Sequence, residues 1–306
     1  MKKYDLVIIG SGPAGLSAAV YGKRAGLDLV VLEKNYMSGG QVLNTYDVDN
    51  YLGMPGSNGF DMGMQFRAHA DKLGAEFVTA EVNQVEDRGT GKLVHTDQGI
   101  FETAAVIYAA GAVHAHLNVP GEERLTGRGV SYCATCDGAF FRGKTVAVVG
   151  GGDVALEDAI YLARFCKKVY CIHRRDTFRG ARILQEELLA LENVEVLYGH
   201  TVTEICGEQK VESLKLWNVT EETERVLEAD GIFIAVGILP NTGLVADLVS
   251  CEGGYIVAGE DCVTDCQGIF AAGDVRKKPL RQIVTAVADG ANAVTSAGAY
   301  LNQLEK

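Results

Sequence analysis

One local pattern occurs twice in this chain, and the duplication restricts the fold more than any other feature. Near the start, the apolar run Tyr4 to Ile9 leads into Gly10-Ser11-Gly12-Pro13-Ala14-Gly15, then a helix-forming stretch from Leu16 to Ala25. Leu29 to Leu32 is a second apolar run, and it ends at Glu33. The layout returns as Thr145 to Val149, Gly150-Gly151-Gly152-Asp153-Val154-Ala155, Leu156 to Phe165 and Val169 to Ile172. Each copy reads as strand, glycine turn, helix and strand. This is the unit that offers a helix N-terminus to the pyrophosphate of a dinucleotide. Two such units in 306 residues predict an α/β chain with two Rossmann-like dinucleotide-binding domains, each of three-layer ββα build.

The two copies differ where a ribose would lie. Glu33 is placed to accept from ribose hydroxyls. The matching position of the second copy is His173, followed by Arg174, Arg175 and Arg179. Guanidinium groups bind a phosphate where an acid would repel it, so the second unit reads as NADP-type. Val106 to Ala112 and Gly268 to Asp274 are similar runs that end in small residues and glycine. If both belong to the first unit, the second is an insertion. The expected domains are 1–114 and 246–306 for the first unit and 115–245 for the second. The crossings then fall at Gly111 to Asn118 and at Asn241 to Leu244, with Pro240 just before the second.

Cys133-Ala134-Thr135-Cys136-Asp137 precedes the second glycine turn. CxxC closes a small redox-active ring or contributes to a zinc site. No second CxxC and no histidine near Cys262 and Cys266 support the metal reading, and no metal is expected. Cys166, Cys171, Cys262 and Cys266 are expected to be buried. The 28 basic and 40 acidic residues give a net charge of −12, which argues against nucleic acid or an anionic membrane as partner. Met1 to Ile9 imitates a secretory leader, but Asp5 interrupts it and the glycine turn follows at once. A cytoplasmic setting is expected.

Taken together, these residues resemble the low-molecular-weight thioredoxin reductases, FAD- and NADPH-dependent members of the pyridine nucleotide-disulfide oxidoreductases. The likeness covers nearly the whole chain and includes Gly39-Gly40-Gln41, Gly273-Asp274 and Arg281-Gln282. It implies that Gly10, Gly12, Pro13, Ala14, Gly15, Glu33, Gly40, Gln41, Asn50, Gly111, Gly273, Asp274, Arg281 and Gln282 bind FAD. By the same likeness Gly150, Gly152, Asp153, Ala155, His173, Arg174, Arg175 and Arg179 bind NADPH. Electrons would pass from nicotinamide to flavin to a Cys133–Cys136 disulfide, and from there to thioredoxin or a similar small protein. Cys136 is expected to face the flavin. The family commonly has threonine where Ala110 stands, so one hydroxyl contact is missing. A homodimer is expected from the resemblance alone.

Asp137 reads equally as the proton donor and acceptor of the exchange and as a helix N-cap. Ala139-Phe140-Phe141, with Arg128, is a candidate docking lip, although core packing suits the phenylalanines as well. Arg276-Lys277-Lys278 reads as a solvated basic run, and His114 and His116 as exposed loop. Because the CxxC and the second turn share the inserted domain, rotation of that domain about its crossings is expected. The rival functions are a peroxiredoxin-system reductase, a dithiol oxidase, a ferredoxin-fed reductase and a non-catalytic nucleotide- or zinc-binding scaffold.

Overall fold

A computed structural model describes residues 2–45, 48 and 50–304. The chain divides into two compact units, one running to Val113 and resuming at Leu239, the other spanning His114–Ile238. The first begins with β1 (Lys2–Ile9), α1 (Pro13–Arg24), β2 (Leu29–Glu33), α2 (Gly59–Lys72) and β3 (Glu76–Thr79). It continues through β4 (Val82–Asp87), β5 (Lys92–Thr96), β6 (Gly99–Tyr108) and the crossing strand β7 (Ala112–His114). The second contains β8 (Val130–Ser131), α3 (Ala134–Asp137), β9 (Thr145–Val149), α4 (Asp153–Ala163) and β10 (Lys168–His173). Then come α5 (Arg182–Leu189), β11 (Val194–Tyr198), β12 (His200–Cys206), β13 (Ser213–Asn218), β14 (Thr223–Glu228) and β15 (Gly231–Ile234). The return runs through β16 (Ile238–Pro240), β17 (Cys251–Glu252), β18 (Tyr255–Ile256), β19 (Ile269–Ala271) and α6 (Ile283–Leu304).

Side-chain alternation builds the layers. In the first unit β3, β2, β1, β6 and β19 run parallel, while β4 and β5 are antiparallel. Leu6 and Ile8 of β1 pack with Leu16 and Ala18 of α1 and Ala293 of α6; Val7 and Ile9 pack with Val85 and Val94 of the antiparallel pair. Successive residues of a strand point to opposite faces, so a strand covered on both faces reads as one continuous apolar run. The second unit repeats the scheme. Its parallel order is β11-β10-β9-β15-β8, beside an antiparallel β12-β13-β14. Val146 and Val148 face α4 through Leu156 and Ala159, and Ala147 and Val149 face Val202, Leu214 and Leu216. Both units are three-layer, Rossmann-like folds.

The two crossing strands, β7 and β16, pair with each other. The chain rejoins the first unit at Leu239, earlier than the boundary expected at residue 246. Tyr108 donates its hydroxyl to the Asn241 carbonyl at 2.6 Å, and Asn241 donates its side-chain amide to the Ala110 carbonyl at 2.9 Å. Val245 and Val249 lie in the first unit's core, with Val7 and Ile9 of β1. These contacts hold 241–249 to the first unit. Both glycine turns also enter their helices sooner than expected, at Pro13 and Asp153. Proline's fixed φ suits a first helical residue.

Candidate active site

At the first turn, backbone elements approach too closely for any side chain. Gly10 has φ +101°, and a Cβ there would lie 2.4 Å from the Ala109 carbonyl oxygen; at Gly15 it would lie 1.9 Å from the Gly10 oxygen. Gly12 caps α1 without a side-chain bond, and the first turn carries no acidic residue. The leading N–H groups therefore suit an anionic ligand. A Cβ on Gly40 would come within 3.2 Å of the Gly12 Cα, and one on Gly273 within 3.0 Å of the Ala14 Cβ. Gly40 and Gly273 thus converge on the turn from distant parts of the sequence. Glu33 braces it: Oε2 accepts from the Ser11 amide at 2.9 Å and hydroxyl at 2.8 Å, and Oε1 from the Asn35 amide at 3.0 Å. Gln41 donates its amide to the Ala112 carbonyl, Asn50 donates to Gln282 Oε1 at 3.0 Å, and the Gly111 carbonyl accepts from the Asn241 amide at 3.0 Å.

Three buried side-chain atoms of this unit lack partners among the described residues: the Tyr4 hydroxyl on β1, and two beside the Gly273 turn. Asp274 Oδ1 and Arg281 Nε are buried with no hydrogen bond. Leaving such groups unpaired costs about 1–3 kcal/mol each. A ligand carrying hydroxyl and phosphate groups satisfies both, which fits the ribityl and phosphate portion of a flavin nucleotide. Burial pushes the Asp274 carboxyl upward, against the opposing pull of Lys278 and Arg281. The Arg281 guanidinium lies over the Tyr255 ring, 3.9 Å from its centroid.

The basic run Arg276-Lys277-Lys278 is not solvated as expected. Arg276 is 3 % and Lys278 9 % exposed. Asp289, 2 % exposed on α6, receives both: Arg276 Nη2 donates to Oδ1 at 2.8 Å, and Lys278 Nζ to Oδ2 at 2.8 Å. The same Oδ2 accepts the Gly273 amide at 2.9 Å. A buried charge needs a partner, and Asp289 supplies it while holding the Gly273-Asp274 turn. Only Lys277 meets solvent, paired with Glu252.

In the second unit, Cys133 and Cys136 form a disulfide. Cys133 caps α3 and also lies 3.4 Å from the Thr135 hydroxyl. Ser131 links the ring to Asp137: its hydroxyl donates to Asp137 Oδ2 at 2.6 Å and accepts the Cys133 amide at 3.1 Å. Asp137 makes no side-chain cap bond, so the capping alternative is not realised. Burial raises its carboxyl above the ordinary range, and the Ser131 bond partly opposes this. Of the two phenylalanines that follow, Phe141 is buried against Phe233, while Phe140 and Arg128 are exposed. His116 is exposed in the loop after β7, as expected, whereas His114 ends β7 and is half-buried. His114 stacks on Tyr132 with centroids 5.3 Å apart, and His116 Nδ1 lies 3.1 Å from Glu122 Oε1. Cys166, Cys171 and Cys262 are buried and Cys266 is half-buried.

The second turn is equally tight. The Gly151 carbonyl accepts the Arg179 amide at 2.7 Å and the Gly180 amide at 3.1 Å, and Asp153 Oδ1 accepts the Ala181 amide at 2.6 Å. Gly150 fits under Ala155, whose Cβ would lie 2.6 Å from an added one. Gly152 caps α4 with no side-chain bond. His173 lies beneath this turn, 6 % exposed, with Nε2 3.1 Å from the Thr177 carbonyl. Arg174, Arg175 and Arg179 are exposed. Burial lowers the His173 pKa against the Thr177 bond, and the positive charges of Arg179, Arg175 and Arg174 push it the same way as burial. The structure divides the basic set accordingly: the imidazole packs the turn, and the arginines face solvent.

Sequence reasoning passed over Ser11, Ser131 and Asp289. A lone serine carries no periodic signal. Asp289 does, because it falls on the apolar stripe Ala286, Gly290, Ala293 and Ala297 of α6. An acid on a buried stripe demands a cation, and that demand points to Arg276 and Lys278.

A profile of the pyridine nucleotide-disulphide oxidoreductase family matches residues 4–290. The chain belongs to that family. Members are oxidoreductases built around flavin and nicotinamide cofactors, which fits the two turns and the orphaned Asp274 and Arg281 atoms. The chain is 44% identical to the thioredoxin reductase of Listeria innocua, over all of its own length and 96% of that protein. Identity to the Bacillus subtilis thioredoxin reductase is also 44%, over 100% of this chain and 97% of the relative. The crystal structure of thioredoxin reductase from Streptococcus pyogenes matches with a TM-score of 0.91 at 44% identity, covering 98% of this chain and 99% of that one.

Proposed function

We propose that the protein is an NADPH-dependent thioredoxin-disulfide reductase. The unit formed by the two ends of the chain binds FAD, through Gly10, Gly12, Pro13, Ala14, Gly15, Glu33, Gly40, Gln41, Asn50, Gly111, Gly273, Asp274, Arg281 and Gln282. The inserted unit binds NADPH through Gly150, Gly152, Asp153, Ala155 and the arginines 174, 175 and 179, with His173 supporting the turn. The observation that carries this reading is a closed Cys133–Cys136 disulfide beside a half-buried, Ser131-bonded carboxylate, in a chain with two glycine turns of dinucleotide-binding form.

When bound, the two cofactors supply a hydride's two electrons. The disulfide takes up those electrons and two protons, and its S–S bond gives way to two thiols. Asp137 holds a proton for this exchange at its carboxylate. Ser131 keeps that carboxylate oriented and keeps Cys133 in place. Cys136 is the flavin-facing sulfur in this reading. A thiolate then attacks the disulfide of a thioredoxin-like protein, and its neighbour resolves the mixed disulfide, so the partner leaves as a dithiol. Phe140, exposed four residues after Cys136, suits contact with that partner, and the exposed Arg128 is available for a polar contact. The cytoplasmic setting and the homodimer follow from the family resemblance, and sedimentation velocity tests the dimer.

The deciding experiment is an anaerobic spectral titration with NADPH and then NADH, followed by thioredoxin, peroxide or oxygen as acceptors. Two-electron bleaching by NADPH and rapid reduction of thioredoxin are expected. Bleaching that ends in oxygen or peroxide consumption, with thioredoxin untouched, would transfer the protein to another branch of its family. A Cys136→Ser variant is expected to accept hydride yet reduce no protein.

A further inference from the structure

Tyr132, immediately before the first redox cysteine, is joined to a charged cluster that the electron path does not use. Glu122 is 3 % exposed. Its Oε1 accepts from the Tyr132 hydroxyl at 2.8 Å and the Leu117 amide at 3.1 Å, and its Oε2 from the Asn118 amide at 2.7 Å. His116 Nδ1 completes the group, 3.1 Å from Oε1 and 2.9 Å from the Tyr132 oxygen. Burial works to raise the Glu122 carboxyl, but the Tyr132, Leu117 and Asn118 bonds outweigh it and the pKa falls below the ordinary range. Burial and this carboxylate together push the Tyr132 phenol well upward, so it stays a donor. Asn118, in the left-handed region at φ +58°, is held by the same carboxylate.

The ring of Tyr132 is fixed as well, stacked on His114 and packed against the core cluster that includes Leu125 and Val130. Its neighbour Ser131, the last residue of β8, holds a different set of partners, the Cys133 amide and Asp137. The segment leading into the redox ring is therefore pinned through two adjacent residues with separate partners. Ser131 belongs to the ring's own acid–base machinery. Tyr132 is tied instead to the segment that follows the first crossing.

We infer that Glu122 is a positioning residue which, through Tyr132, fixes the Cys133 end of the redox ring and so sets the stability of the Cys133–Cys136 disulfide. The inference rests on reading that pair as the redox centre. Opening the ring with a dithiol reagent transfers two electrons and two hydrogens: the protein S–S bond becomes two thiols and the reagent closes to its cyclic disulfide. The equilibrium depends on how near the fold holds the two thiols, since oriented groups react at high effective concentration. A pinned Cys133 favours the disulfide. Releasing it favours the dithiol.

The test equilibrates the holoenzyme against a dithiothreitol redox buffer and counts thiols by alkylation and mass spectrometry, with no NADPH or protein partner present. Tyr132→Phe keeps the packed ring and removes the hydroxyl. It is expected to shift the equilibrium threefold to tenfold toward the dithiol, about 15–30 mV at about 30 mV per tenfold for two electrons. Glu122→Gln is expected to shift it the same way, and Glu122→Asp less. If Glu122→Gln does not fold, Tyr132→Phe decides alone. An unchanged equilibrium with only a lowered Tm, or a shift toward the disulfide, overturns the inference. Failure of NADPH to reduce the wild-type disulfide, with the Tyr132→Phe shift intact, would instead overturn the proposed function.

Discussion

At Asp137, burial and a neighbouring hydroxyl act against each other, and burial wins. A raised carboxyl pKa means that folding disfavours the anion. Asp137 keeps its proton to higher pH than a free carboxyl, and a step that draws on that proton fades as pH rises through the raised value. In stability the sign is the same: ionisation of Asp137 detracts from folding above that pKa, and the penalty is gone below the ordinary carboxyl range. Asp137→Asn preserves the shape but cannot exchange a proton. Thioredoxin reduction should fall by about a hundredfold or more, the high-pH limb of its kcat/KM profile should vanish, and flavin bleaching by NADPH should persist. Stopped-flow measurement of the two half-reactions across pH separates these outcomes, and an unaltered high-pH limb would remove Asp137 from the proton path. Asp289 presents the complementary case. Asp289→Asn leaves Lys278 buried without its anion and Arg276 with only the exposed Glu260, a loss of about 3–5 kcal/mol for a broken buried pair. Lys278→Met should cost less, because Arg276 still neutralises Asp289. Urea unfolding of both variants checks the order.

Among the elements, the glycine turns were the most legible, because close approach of backbones leaves a mark in sequence that little else produces. Gly10, Gly15, Gly150 and Gly273 all stand where a Cβ would strike a neighbour. What the sequence concealed is which partner each turn packs against. Gly290 on α6 carries no motif, yet a Cβ there would lie 2.2 Å from the Ala14 carbonyl and 2.9 Å from the Ala18 amide. Backbone atoms of a helix cannot step aside as a side-chain tip can. Gly290→Ala should therefore destabilise by about 1–3 kcal/mol and loosen flavin retention, since Ala14 is in the phosphate turn; released flavin fluorescence measures the second effect. The basic run 276–278 shows the other limit. Three cations in an acidic chain suggest solvent on composition, and only the fold brings Asp289 under two of them. His173 likewise holds the expected sequence position but takes up packing, because Gly151 leaves space that an imidazole fills. An added Cβ at Gly151 would lie 2.2 Å from His173 Cε1, so Gly151→Ala should weaken NADPH binding, and adding His173→Ala should recover part of it. No recovery would mean that the backbone of the turn, not the ring, sets the constraint.

For the whole molecule, the nesting itself makes a mechanical demand. Asp274, Arg281 and Gly40 belong to one compact unit, whereas Cys133, Cys136 and the Gly150 turn belong to the other. In the proposed function, a single flavin held by the first unit must meet two different parts of the second, in alternation. Only two strands connect the units, so motion of the second unit has to be absorbed at β7 and β16. Their ladder is anchored by the Ala115 amide on the Gly237 carbonyl at 2.9 Å and the Asn241 amide on the Gly111 carbonyl at 3.0 Å. That register sets Val113 opposite Leu239, and both side chains are exposed. Directly opposed residues of an antiparallel pair stand about 5.5 Å apart at Cα, within disulfide range. A Val113→Cys, Leu239→Cys variant should therefore close a covalent bridge across the crossings under oxidation. With the bridge verified closed by thiol counting, one half-reaction is expected to survive and multiple turnover to stop, and selective reduction of the bridge should restore it. Full multiple turnover in the closed form would show that the crossings need not bend and that one arrangement of the units serves both transfers.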